Sequence, residues 1–167
     1  MFFGFSNAQE RTFQTVDSSV NSYAQNLLIN TAADKVLIYK TGCIGCEIIG
    51  ECSCKIGSIR SFLIWKEANG SYVKEINCCE TSDRKETDLD AVWRELEAKE
   101  EIIFGSEFKV EKENVHYDFY EVKLMKKGSE KEIKMADFYF NDDNKYREHN
   151  SQQAAKEFQK LIELTLR

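Results

Sequence analysis

The chain reads as an α+β domain built on a mostly antiparallel sheet, with element order α-β-β-β-α-β-β-α and the helices packed on one side of the sheet. Three observations predict this class. Two pairs of apolar, β-prone segments each flank a glycine-containing turn, Ala68-Asn69-Gly70 and Lys127-Gly128-Ser129, as hairpins do. Three other segments carry apolar residues at steps of three and four, the spacing of one helix face. Strands and helices do not alternate regularly, which argues against a doubly wound parallel sheet.

Residues 1–9, MFFGFSNAQ, are apolar and then small, with Ser6 and Ala8 spaced as in a signal-peptidase site, so they read as the tail of a secretory signal. The single α+β domain then occupies residues 10–167. A first helix over 11–31 docks through Phe13, Val16, Val20, Tyr23 and Leu27, and its polar outer face of Ser, Asn and Gln leaves packing to hold it. Residues 36–40 form a short buried strand, and a glycine- and cysteine-rich loop follows. Strands over 59–67 and 71–79 make the first hairpin, its turn served by Asn69 and Gly70 because both accept positive φ. The second helix opens at Thr87, the predicted N-cap with Asp90 three residues on, and closes near Gly105, read as a left-handed C-terminal cap. Strands over 115–125 and 133–140 form the second hairpin, mixing charges with aromatics as a sheet with one wet face does. A last helix starts at Asn150 or Ser151 and buries Ala154, Ala155, Phe158, Leu161, Ile162 and Thr165.

Composition excludes several functions. With 42% hydrophobic residues among 167, the chain can bury a core without needing a covalent or metal staple. A net charge of -6, with basic residues scattered among acids, opposes nucleic-acid binding. No apolar run reaches the roughly 20 residues of a membrane span. Phosphate-loop, dinucleotide-binding and nucleophile-elbow patterns are absent from the sequence.

The chemistry is concentrated in the cysteines: Cys43, Cys46, Cys52, Cys54, Cys78 and Cys79 are the chain's full set. An even count in an exported chain reads as a disulfide framework. Neighbours on a strand point to opposite faces, so Cys78 and Cys79 take different partners, and at least one bridge joins the loop over 43–54 to one of them. The pairing itself stays open. One alternative is structural zinc, with Cys43, Cys46, Cys52 and Cys54 as ligands, which a cytosolic location would favour. The other is a redox pair at Cys43 and Cys46, opposed by the lack of any proline to place in cis opposite the motif. The preferred expectation therefore includes no cofactor and a periplasmic or secreted location.

His116, His149 and the Glu121-Val122-Lys123 run read as surface or cross-strand polar groups, and Asn141-Asp142-Asp143-Asn144 as a turn. The functional expectation is a non-enzymatic binding or inhibitor-like domain with a protein partner. Its contact candidates are Trp65, Tyr72 and the loop residues Ile44, Ile48 and Ile49, since aromatic and apolar side chains anchor interfaces.

Overall fold

A computed structural model describes residues 4–45, 59–77 and 80–167, over 4–15 the backbone alone. Its centre is a six-stranded, fully antiparallel sheet of order β4-β3-β2-β1-β5-β6. The strands are β1 (Lys35–Ile44), β2 (Arg60–Glu67), β3 (Gly70–Asn77), β4 (Lys85–Glu86), β5 (Tyr117–Lys126) and β6 (Ser129–Ala136). The α+β class and the two hairpins hold. Long β1 is the axis, with β2 on one edge and β5 on the other.

The helices lie on both faces of this sheet, which corrects the one-sided packing expected. α1 (Gly4–Asn30) buries Val16, Val20, Ala24 and Leu27 with Val36 and Ile38 of β1, Leu63 and Trp65 of β2 and Met125 of β5. α2 (Asp90–Phe104) and α4 (Ala154–Thr165) bury Trp93, Leu96, Phe158 and Ile162 with Leu37 and Tyr39 of β1 on the other face. The reason is written in β1 itself. Val36, Leu37, Ile38 and Tyr39 are apolar at every position, so both faces need cover, whereas a strand with one wet face alternates.

The same parity decides the aromatic contact candidates. Trp65 is paired with Val36 and Tyr72, and all three point under α1. Trp65 is 0% exposed and stacks on Tyr72 at 5.7 Å, with Tyr23 edge-on at 6.3 Å. Trp65 and Tyr72 are therefore core residues and not surface contacts: each fills the space between a twisted sheet and a long helix, where a large ring removes the most apolar area from water.

Element ends differ from the sequence reading for local reasons. Residues 4–9, read as the tail of a signal, are helical and continuous with the rest of α1. The first hairpin turns on Ala68-Asn69, and Gly70 is already in β3 without positive φ. A Cβ there would meet Glu86 Oε1 at 2.8 Å, the end of an exposed and flexible side chain that can turn aside, so neither φ nor backbone crowding demands glycine at this position. Asp88, not Thr87, receives the N–H of Asp90 at the start of α2, at 3.1 Å. Gly105 ends α2 at φ -91°, outside the left-handed region. β6 stops at Ala136, and residues Asp137–Phe140 form a 3-10 turn. The two-residue strand β4 and the five-residue α3 (Arg147–Ser151) were too short to leave a periodic signal.

A candidate recognition groove at the cysteine end of the sheet

The C-terminal end of β1 is built by close backbone approach. Cys43 and Ile44 pair with Asp118 and Tyr117 of β5. A Cβ on Gly42 would sit 2.8 Å from the Phe119 ring, and Gly45, at φ +75°, lies where a Cβ would meet Val115 O at 2.3 Å. Both positions need glycine so that residues 115–119 can close over the strand end. Cys43 is 3% exposed and disulfide-bonded. Cys46, Cys52, Cys54, Cys78 and Cys79, and with them Ile48 and Ile49, lie outside the described residues.

Beside this end, on the α1 side of the sheet, a groove of about 330 Å³ runs across β1, β5 and β6. Ile44, Tyr117 and Phe119 line it from the strands, and Phe138 and Tyr139 from the 3-10 turn. Of the five contact candidates read from sequence, Ile44 is placed in it, half-buried. The rings support one another: Tyr117 meets Phe138 edge-on at 5.1 Å, and Phe138 meets Tyr139 at 4.9 Å. Burial raises the Tyr139 phenol above its ordinary value, with further negative charge at Tyr117 and Glu113 acting the same way.

The floor of the groove is charged but compensated. Lys40 Nζ donates to Asp17 Oδ1 of α1 at 2.8 Å and lies 3.1 Å from Glu121 Oε2 of β5. Glu121 also meets Lys134 of β6 at 3.5 Å, and Lys134 meets Glu132 at 2.7 Å. Lys40 and Glu121 are 7% and 8% exposed, so the pair is a desolvated one whose partners replace lost hydration. Glu121 and Lys123 are thus cross-strand pairing groups, the latter with Glu130 at 2.9 Å.

Two buried asparagines hold the aromatic wall in place. The side-chain amides of Asn144 and Asn150 both donate to Tyr139 O, at 2.9 and 2.8 Å, and to Lys109 O, at 3.2 and 2.7 Å. Asn150 Oδ1 in turn accepts the Lys109 N–H at 2.9 Å, and Asn150 is 0% exposed. The sequence reading placed Asn150 at a helix start and Asn144 in a turn. An amide that satisfies backbone groups from distant segments leaves no pattern in its own neighbourhood.

A second polar cluster lies under α4 on the opposite face. The Tyr39 hydroxyl donates to Glu163 Oε1 at 2.5 Å. Burial first, and the carboxylate second, hold this phenol far above the usual tyrosine range. Lys156 Nζ sits 4.0 Å from the Phe140 ring centroid and 5.1 Å from that of Tyr120, and burial lowers its ammonium below the usual value. His116 and His149 are exposed, the latter with Nε2 3.1 Å from Glu107 O. Among the described residues no three His, Cys, Asp or Glu side chains converge on a metal-sized site, and no helix is long and apolar enough to cross a membrane. Comparison with protein-family models, with curated proteins and with solved structures finds no match to this chain.

Proposed function

We propose that the chain is a non-enzymatic recognition domain, exported to the periplasm or beyond, which takes an apolar side chain of a protein partner into the groove at the cysteine end of the sheet. The observation that carries the reading is the pairing of ring-lined walls with a floor whose buried charges, Lys40 and Glu121, already compensate each other. An entering aliphatic or aromatic group displaces water from Ile44, Tyr117 and Phe138 without stripping a counter-ion, which is how anchor residues add affinity. A catalytic cleft instead holds an acid, base or nucleophile open to substrate. The disulfide at Cys43 supports an oxidising location, and bridges among the cysteines 43–79 would fix the rim that frames the groove.

The test selects binding peptides from a random displayed library against the full chain, then measures their affinity for wild type and for Ile44→Glu by fluorescence anisotropy. Selected peptides are expected to share one aliphatic or aromatic anchor and to lose about tenfold or more in affinity on the variant. Peptides that bind both proteins alike would place the recognition surface elsewhere.

A further inference from the structure

The sheet ends at β6 with a strand whose outer side no other described strand covers. Its backbone phase follows from the hairpin. Lys126 and Ser129 close the two-residue turn Lys127-Gly128, and such a closing pair exchanges both of its hydrogen bonds. Counting by twos, Lys131, Ile133 and Met135 bond inward to β5. Glu130, Glu132, Lys134 and Ala136 aim N–H and C=O away from the sheet. The same count applied from Glu67 and Gly70 predicts that Ser71 and Glu75 bond outward from β3, and they do, to Thr87 and Ser82.

An edge of this kind pairs with another strand unless its side chains forbid it. Charges usually forbid it, and here they do so for most registers. For an antiparallel pairing of β6 with β6 of a second copy, centring on Glu132 sets Glu132 against Glu132 between two Glu130–Lys134 pairs, and centring on Lys134 sets Lys134 against Lys134. Centring on Ile133 sets Glu132 against Lys134 twice, places the two Ile133 side chains on the two-fold axis, and brings the outward N–H and C=O groups into bonding pairs. We propose that β6 is a homodimer interface in this register, joining two sheets edge to edge across an isologous contact. The occupant is a second copy because this register sets opposite charges face to face twice and no like charges opposite each other. Glu132 and Lys134 are exposed in the single chain and pair with each other at 2.7 Å, so a second copy can take over that contact at little desolvation cost.

Sedimentation velocity over a concentration series tests this on the full chain. Wild type is expected to dimerise, while Glu132→Lys and Lys134→Glu each set two like charges face to face and weaken association about tenfold or more. An equimolar mixture of the two variants restores opposite charges at both positions and is expected to recover the dimer. Circular dichroism and melting curves check that each variant folds. Amide exchange on wild type provides a measurement independent of the variants: the N–H groups of Glu132 and Lys134 become protected as concentration rises. A monomer at all concentrations, a dimer indifferent to either reversal, a mixture that fails to associate, or outer amides without concentration-dependent protection would each overturn the proposal.

Discussion

Replacing Lys40 with methionine probes how α1 is held on the sheet. The side chain keeps about the length of its apolar stem and loses the charged end. Lys40 is 7% exposed, and its ammonium serves two carboxylates from different elements, Asp17 at 2.8 Å and Glu121 at 3.1 Å. Breaking a buried pair by removing one partner costs about 3 to 5 kcal/mol, mostly because the other charge stays buried. Two features reduce that figure here. Asp17 has a side chain 42% exposed and rehydrates, and Glu121 retains Lys134 at 3.5 Å. The expected loss is therefore at or below the lower limit of that range, about 2 to 3 kcal/mol, or roughly 4 to 12 °C in melting temperature for a domain of this size. Urea unfolding followed by the fluorescence of Trp65 and Trp93 measures it, with an unchanged denaturant slope showing that the folded state is otherwise intact. The double variant Lys40→Met with Glu121→Gln removes the stranded charge and is expected to recover about 1 kcal/mol or more. A single-variant loss below about 0.5 kcal/mol, or a double variant whose loss equals the sum of the two singles, would refute the argument that the cost lies in an uncompensated buried carboxylate.

Three further outcomes follow from the same geometry. Asn150→Ala strands the Lys109 N–H and deprives Lys109 O and Tyr139 O of a buried donor, so thermal unfolding is expected to show a loss of about 2 to 4 kcal/mol. The Tyr39 phenol titrates higher in the folded chain than the 10.0 of an unfolded tyrosine. Its contribution to stability is therefore complete below that value and falls as pH rises beyond it, and Tyr39→Phe is expected to show a shallower alkaline loss of stability in pH-dependent melts. Arg60 lowers the Glu75 carboxyl below 4.5 through their hydrogen bonds at 2.7 and 3.0 Å. That contribution is present above 4.5 and is lost as pH falls through the folded value, so Arg60→Gln is expected to move the Glu75 titration upward when followed by NMR.

Much of the scaffold was legible because local pattern and tertiary role agree. Val16, Val20 and Leu27 repeat at helical spacing and are the residues that bury α1. Both hairpins announce themselves in their turns, even though Gly70 lies in β3 without positive φ. The covering of both sheet faces was present in the unbroken apolar run of β1, which carries the signature of a doubly buried strand. Trp65 and Tyr72 were misplaced because a large ring in a strand is equally at home in a core and at an interface, and only its strand neighbours decide which. The groove was least legible. Its walls come from β1, β5, β6 and the 3-10 turn, and its supports, Asn144 and Asn150, act through backbone atoms of residues 5 to 41 positions away. Ile44 stood among the candidates for its place in the cysteine loop, and the structure gives it a position in the groove.

The proposed function has the cysteines oxidised in pairs that frame a rigid groove outside the cytoplasm. Alkylation of the protein as isolated from its native host, followed by intact mass measurement before and after reduction, tests this most directly. It predicts no adducts before reduction and six after it, one for each cysteine of the chain. Six adducts on unreduced protein would contradict the bridged rim and the exported location together.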